Sequence, residues 1–226
     1  FAYIDEKCRA EQRIDLSGKK IIVTAGGTVE PIDPVRFLTN RSSGKMGYAL
    51  AENAAAFGAD VTLVHGPVRL ADIPGVEMVE TVTADEMASE VLKRYEEADV
   101  VIMAAAVADY RPEKFYDEKV KKSDGDWNLR LVRNVDILKL LGEKKTKQKL
   151  VGFAAETENL LENAQKKLTK KNVDLLVAND VSRKDIGFGS DENEVFLLFR
   201  NGAKKKISKT SKEKIAQDVL SELSSL

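Results

Sequence analysis

From Lys19 onward, two periodicities alternate along the chain. Short apolar runs, Ile21-Ile22-Val23 and Asp60-Val-Thr-Leu-Val64, read as buried strands. Between them, Met46 to Phe57 carries a helical period and ends at Gly58, a typical C′ glycine. Val76 to Val82 alternates as a third strand, Thr83 or Asp85 can cap a helix over Glu86 to Ala98, and Asp99 to Ala105 is apolar enough for a central parallel strand. The alternation then breaks. Tyr110 to Trp127 is polar, lysine-rich and without period, and reads as a long excursion or lid. Leu129 to Val132 predicts a strand, Val135 to Leu141 a helix, Lys149 to Ala155 a strand, Leu160 to Lys171 a helix and Val173 to Ala178 a buried strand. Asn193 to Arg200, Asn201-Gly202 and Lys204 to Ser208 read as a hairpin with a type I′ turn, and Glu213 to Leu223 as a closing helix. The sum is an α/β, Rossmann-like, doubly wound and mostly parallel sheet with a lysine-rich lid and a C-terminal β-hairpin plus helix.

Such sheets bind ligands at the carboxyl ends of their strands. Four of those ends are polar or glycine-rich: Gly26-Gly27, Ala105 to Asp109, Phe153 to Glu156, and Asn179-Asp180. They are expected to converge on one crevice. The stretch Asp33 to Gly47 leads from the first strand into the first helix. Ser42 and Ser43 suit a helix cap that also donates to phosphate, Gly44 suits close backbone approach, and Arg36, Asn40 and Arg41 precede them. Phosphate or carboxylate chemistry fits this set; a capped helix with surface arginines is the alternative.

The 226 residues allow one substantial α/β domain or two small ones. A net charge of −1 gives no bulk attraction to nucleic acid or anionic membrane, and no apolar run approaches the ~20 residues of a membrane span. The single cysteine, Cys8, excludes an intrachain disulfide framework and fits a reducing, cytoplasmic setting. The chain begins with Phe1 rather than Met, so it reads as processed or cut from something longer. Residues 1–17 read as a linker and 18–226 as the domain.

A P-loop is rejected, because Thr39 stands where its first glycine belongs and Met46 follows Gly44-Lys45. No strict G-x-G-x-x-G follows the first strand. Tyr110 and Lys114 form a Tyr-x-x-x-Lys pair, as in some reductases, but Pro112 between them breaks the helix that should carry it. One His and one Cys make a poor metal set, although Mg²⁺ carried in by a nucleotide needs few protein ligands. Lys119-Val-Lys-Lys122 is either a solvated charge run or a mobile cation source at the crevice mouth. Lys167 and Lys171 lie four apart on one helix face, where a shared anion would relieve their repulsion; a plain surface face is the other reading. Asp109 could take ribose hydroxyls, and Phe153 could pack on a base or serve the core.

Six motifs in order give the chain a family resemblance: Asp33-Pro-Val-Arg36 with Asn40, Ser42-Ser-Gly-Lys-Met-Gly47, Ala104-Ala-Ala-Val-Ala-Asp-Tyr110, Lys119-x-Lys-Lys122, Gly152-Phe-Ala-Ala-Glu-Thr157 and Ala178-Asn-Asp180. Over Gly18 to about Leu223 it resembles phosphopantothenoylcysteine synthetase, the ligase domain often fused behind a flavin-dependent decarboxylase in coenzyme A biosynthesis. The resemblance implies that 4′-phosphopantothenate attacks the α-phosphate of CTP, giving an acyl-cytidylate, and that L-cysteine then displaces CMP. It implies Mg²⁺ with the CTP, a homodimer, and no flavin in this fragment. Carried over by position, Asn40 would hold the acyl carboxylate, Lys119 would offset charge on the α-phosphate, and Arg36 would act in the cysteine step, with Ala106 beside the substrate. Gly26, Gly27, Ser42 and Ser43 would line the phosphate cradle, and Lys167 and Lys171 would reach the triphosphate. Met103, Ala104, Ala105, Asp109 and Phe153 would hold the cytidine, with the turn Val135, Asp136, Ile137 and Leu138.

Two departures from the family pattern stand out. Asn134-Val-Asp-Ile137 lacks a frequent proline, and the first turn reads Gly-Gly-Thr where Gly-Pro-Thr is common. Neither removes a reacting group. Eukaryotic relatives use ATP, so the CTP expectation follows the bacterial-like motifs. A non-catalytic nucleotide-binding module and an NAD(P)-dependent reductase are the competing readings.

Overall fold

A computed structural model of the protein describes residues 14–122, 125–156, 158–180 and 190–226. Cys8 and most of the expected linker lie outside the described residues. Strand β1 (Lys20–Ala25) is followed by a ribbon of β2 (Val29–Pro31) and β3 (Phe37–Thr39), then by helix α1 (Lys45–Ala56). β4 (Asp60–His65), β5 (Glu77–Glu80), α2 (Ala84–Tyr95) and β6 (Val100–Met103) complete the first half. A second ribbon, β7 (Tyr110–Pro112) with β8 (Leu131–Arg133), precedes α3 (Ile137–Lys144), β9 (Lys149–Glu156), α4 (Leu160–Lys170) and β10 (Leu175–Asp180). β11 (Glu192–Phe199), β12 (Lys204–Ser211) and α5 (Lys212–Ser221) follow.

Among the described residues, eight strands form one sheet in the order β12-β11-β10-β9-β6-β1-β4-β5. From β5 across to β10 all pairings are parallel; β11 and β12 add on antiparallel. From β1 the chain builds outward to β4 and β5, then crosses back to β6. The switch point therefore lies between β1 and β6, where a crevice opens at the carboxyl ends.

Both faces of the sheet are covered, which is why its central strands are continuous apolar runs. α1 and α5 pack on one face with Ile21, Val23, Leu63, Ile102 and Val177. On the other face α2 and α3 pack with Ile22, Val101 and Leu150, and α4 with Leu176 and Ala178. Thr83 caps α2, accepting from the Glu86 N–H at 3.2 Å, while the Glu86 carboxylate accepts from the Val82 N–H at 2.8 Å; such a cap contributes about 1 kcal/mol. Gly58 sits at φ +92, as its C′ role requires. Leu16 is buried in the first cluster and its N–H reaches the Phe57 carbonyl at 2.9 Å, so the packed body starts ahead of Gly18.

Three local expectations are corrected. The polar loop after β1 contains the β2–β3 ribbon. The excursion after β6 is not wholly irregular, since Tyr110–Pro112 pairs with Leu131–Arg133 away from the main sheet. The hairpin turn is not type I′, because Gly202 takes a left-handed φ of +88 and Asn201 does not. The Gly202 N–H bonds the Phe199 carbonyl and the Phe199 N–H bonds the Ala203 carbonyl, each at 3.0 Å. A three-residue loop with a left-handed glycine results. Its first residue, Arg200, is held in line by donating its N–H to the Asp174 carbonyl at 3.0 Å.

Gly47 sets the approach of α1 to β1: a Cβ there would lie 2.5 Å from the Ala25 Cβ and 2.7 Å from the Thr24 carbonyl oxygen. Gly47→Ala is expected to lower unfolding free energy by roughly 1–3 kcal/mol, measured by urea denaturation.

Candidate active site

The loop after β6 is pinned from both sides. On the β1 side, the Ala105 N–H donates to the Thr24 hydroxyl at 3.1 Å and the Ala108 N–H to the Thr28 hydroxyl at 3.0 Å. The Ala106 N–H reaches the Gly26 carbonyl at 2.8 Å. On the far side, the Asn134 amide donates to the Ala108 carbonyl at 2.8 Å and its backbone N–H to the Asp109 carbonyl at 2.9 Å. These bonds also fix the turn at Val135, so the missing proline is replaced by side-chain anchoring.

Around this loop lies a cavity of about 440 Å³. The loop into α1 and the helix's first turn, residues Asn40 to Gly47, form one wall. Met103, Ala104, Ala105, Ala106 and Asp109 form the floor, and Val135, Asp136, Ile137 and Leu138 a second wall with Phe153. Lys167 and Lys171 reach in from α4 and its end. Asn179, Asn193 and Lys212 close the far side. Three of the four expected strand ends thus converge.

The fourth does not. Gly26 and Gly27 are absent from the cavity wall and serve packing. A Cβ on Gly27 would lie 2.8 Å from the Asn40 carbonyl oxygen, and one on Gly26, at φ +78, would lie 2.8 Å from Val68 Cγ1. Ser42 and Ser43 line the cavity without capping α1. Gly44, left-handed at φ +78, is the N-cap residue, and no side chain caps that end. The first-turn N–H groups of α1 are consequently not taken up by a capping side chain. Gly44 is required by its φ, with a Cβ also meeting Val68 at 2.9 Å.

Asn40 lines the cavity, and its amide nitrogen donates to the Ala106 and Val107 carbonyls at 3.3 and 3.2 Å. Both bonds are long and exposed, so a better acceptor can replace them. Lys171 is paired with Asp136 at 3.0 Å. Asp136 also caps α3 by accepting from the Lys139 N–H at 3.1 Å. Lys171 and the Val135–Leu138 turn therefore form one unit, on the sheet face opposite α1.

Arg36 and Lys119 are not part of the cavity wall. Arg36 donates to the Val120 carbonyl at 2.6 Å, and its guanidinium lies 5.0 Å from the Trp127 ring centre. Between them Asp33 is buried. Its carboxylate accepts from the Val35 and Arg36 N–H groups at 2.8 Å each and from the Val120 N–H at 3.2 Å. The excursion, Lys119 included, is thereby docked on the β2–β3 ribbon instead of closing the cavity. Burial opposes the charged form of Asp33, but those three donors and Arg36 outweigh it and hold the pKa below the usual carboxylate range.

Sequence reasoning passed over Asn193, Lys45 and Lys212. The available signal was position: Lys45 and Lys212 each open a helix, where the dipole favours acidic residues. Among the described residues, no three His, Cys, Asp or Glu gather as a metal-ligand set, and no helix is long and apolar enough to cross a membrane.

Residues 16–226 match the model of the DNA/pantothenate metabolism flavoprotein C-terminal domain. The chain is 49% identical over 217 residues to the coenzyme A biosynthesis bifunctional protein CoaBC of Bacillus subtilis (strain 168), covering 96% of this chain and 53% of that one. With the CoaBC of Haemophilus influenzae it shares 43% identity over 213 residues, covering 94% of this chain and again 53% of the relative. The chain thus spans about half the length of these curated relatives. A crystal structure of the CoaBC C-terminal domain superposes with a TM-score of 0.79 at 45% identity, covering 92% of this chain and 95% of that one. A complex of the Cab2 mutant H337A with phosphopantothenate-cysteine, 20% identical with a TM-score of 0.76 over 100% of this chain and 94% of that one, shares the fold.

Because the folded pKa of Asp33 is depressed, its carboxylate stabilises the ribbon dock fully above about pH 4 and loses that effect as pH falls through the folded value. Hydrogen-exchange protection at Val35, Arg36 and Val120 is expected to drop on acidification, and Asp33→Asn is expected to lower it already at neutral pH. Unchanged protection in that variant would contradict this role.

Proposed function

This chain belongs to the family of DNA/pantothenate metabolism flavoprotein C-terminal domains, and on that premise we propose that it is a nucleotide-dependent ligase joining 4′-phosphopantothenate to L-cysteine. The observation that carries the proposal is the cavity at the switch point. It combines the uncapped start of α1, a neutral amide at Asn40, and lysines entering from opposite faces of the sheet. Those groups suit two anions brought together, and no protein nucleophile is required. The names of the CoaBC relatives place those proteins in coenzyme A biosynthesis, which agrees with this reading.

In the first step a carboxylate oxygen of phosphopantothenate attacks the α-phosphorus of CTP. The bond to the β-phosphate oxygen breaks, and pyrophosphate leaves with that electron pair. In the second step the amine of cysteine attacks the acyl carbon, the bond to the CMP oxygen breaks, and the amine loses a proton. The chain's contribution is position and charge. The Ser42–Lys45 end of α1 receives the phosphates, and Met103 to Ala105, Phe153 and the Val135–Leu138 turn hold the nucleoside. Asp109, in the cavity floor, is assigned here to a ribose hydroxyl. Asn40 gives its amide to the acyl oxygen in exchange for the Ala106 and Val107 carbonyls. Mg²⁺ carried in with the triphosphate would neutralise charge there and would need few ligands from the protein.

Arg36 and Lys119 enter this scheme through assembly. Val35, Phe37, Tyr110, Phe115, Tyr116, Trp127 and Leu131 are exposed, and all belong to the two ribbons or the excursion between β7 and β8. Such a cluster of apolar side chains fits a second copy of the chain. We propose a homodimer in which this surface is covered and Arg36 and Lys119 are brought to a substrate site. The natural protein is proposed to carry a flavin-dependent decarboxylase domain as well and to work in the cytoplasm.

The test is pyrophosphate release with Mg²⁺ and 4′-phosphopantothenate, comparing CTP with ATP, before and after cysteine. Release with CTP, then CMP and phosphopantothenoylcysteine once cysteine is added, is the expected result. Release with ATP alone would overturn the base assignment, and no release with either would return the chain to a binding module. Asn40→Asp is expected to reduce turnover by at least ~100-fold with the fold intact, since a second carboxylate repels the substrate. Phe37→Asp is expected to shift the chain from dimer to monomer in sedimentation equilibrium.

A further inference from the structure

Lys45 and Lys212 have matching places. Each is the first residue of a helix, α1 and α5, and the two helices pack on the same face of the sheet. Both lysines line the cavity. Lys212 is the unusual one, being only 5% exposed. Its ammonium donates to the Ser190 carbonyl, its N–H donates to the Asp191 carbonyl at 3.0 Å, and Lys45 donates to the Asp191 carboxylate at 2.5 Å. Burial and the neighbouring charge of Lys45 push the Lys212 pKa down, against Asp191 and Glu213.

Burial, the second cation and the positive helix end each disfavour the charge on Lys212, and Asp191 and Glu213 offset them only in part. An incoming polyanion adds attraction to both lysines and to both helix ends. The position also fits. The nucleoside-side residues Met103 and Phe153 stand on β6 and β9, whereas Asn193, beside Lys212 in the cavity wall, stands on β11. Three inter-strand spacings separate β6 from β11, roughly 14 Å, which is a distance a nucleoside triphosphate can span. Beyond the two lysines lies a second depression of about 410 Å³ whose wall includes Glu52, Asp72 and Glu213. Its acidic wall repels a polyanion, so the lysine pair is useful only on the main-cavity side.

We propose that Lys212, supported by Lys45, binds the terminal phosphates of the nucleotide, selects a triphosphate over a monophosphate, and holds the pyrophosphate as it leaves. The inference rests on the nucleotide-ligase reading and adds the residue that discriminates polyphosphate. Lys167 and Lys171 enter the same cavity from the opposite face, with Lys171 paired to Asp136.

The experiment is calorimetric binding of CTP, CMP and inorganic pyrophosphate to the wild-type chain, Lys212→Met and Lys212→Arg. Circular dichroism and thermal unfolding check the fold of each. Lys212→Met is expected to lose about tenfold or more in affinity for CTP and pyrophosphate while CMP affinity stays within about twofold, and Lys212→Arg is expected to recover most of the loss. Proton linkage gives a readout that packing alone would not move. A bound polyanion raises the Lys212 pKa, so at alkaline pH wild-type binding of CTP takes up protons, seen by comparing buffers of different ionisation enthalpy. Lys212→Met is expected to abolish that uptake. Equal CTP and pyrophosphate affinities in wild type and Lys212→Met would overturn the inference even if ligation persists. Parallel losses for CTP and CMP would overturn it too, as would a wild-type chain that binds none of the three. Lys212-dependent pyrophosphate binding in a chain that turns over no phosphopantothenate would instead sink the ligase reading and leave this site standing.

Discussion

Two threonine hydroxyls carry the geometry of this site. Thr24 and Thr28 are fully buried, one in β1 and one just beyond it, and each accepts a backbone N–H from the loop after β6. Parallel strands diverge where their ladder ends, and the loop between them would otherwise have to satisfy its own polar groups. The hydroxyls, with the Gly26 carbonyl, extend the contact between the two chain segments past the last ladder residue. Asn40 and Asn134 then take up loop carbonyls from either side. The floor of the cavity is therefore fixed before any ligand arrives, which is what positioning two anions demands.

Around that fixed floor the charges are unevenly committed. Lys171 is neutralised by Asp136 and Lys45 by Asp191, both partners with exposed carboxylates. Such pairs are easily exchanged, because water screens them and replaces the lost partner. Asp33 is the opposite case. Its carboxylate is buried and bonded by three N–H groups, so it acts as a permanent clasp between two chain segments far apart in sequence. Exchangeable pairs surround the cavity, and the permanent one holds the ribbon surface that carries Arg36 and Lys119.

The parallel core was legible because buried strands leave no alternative to a continuous apolar run, as in Ile21-Ile22-Val23 and Asp99 to Ala105. The helices were legible through their stops and caps, Gly58 and Thr83 in particular. The ribbons were legible only at β8, which Leu129 to Val132 anticipated. β2, β3, β7 and β8 are three residues each, with mixed exposure, and their order comes from distant partners such as Arg36 with Val120. Ala105 to Asp109, Phe153 to Ala155 and Asn179 were legible at strand ends, and Lys167 and Lys171 through their helix spacing, whereas Met103, Ala104 and the Val135–Leu138 turn followed only from the family resemblance. Gly26 and Gly27 stand outside the cavity wall, because glycine at a strand end serves close packing as well as ligand approach. Lys212 escaped because a lysine opening a helix in a lysine-rich region resembles a solvated surface until its burial is known.

The central claim is that a carboxylate is activated here by nucleotidyl transfer. It is tested most directly with 4′-phosphopantothenate carrying ¹⁸O in its carboxylate, turned over with CTP and cysteine, with the products read by mass spectrometry. The account predicts one ¹⁸O in the phosphate of CMP and none in pyrophosphate. Label in pyrophosphate with unlabelled CMP, or label in inorganic phosphate with CDP as the nucleotide product, would contradict it and point to pyrophosphoryl or phosphoryl transfer in place of an acyl-nucleotide.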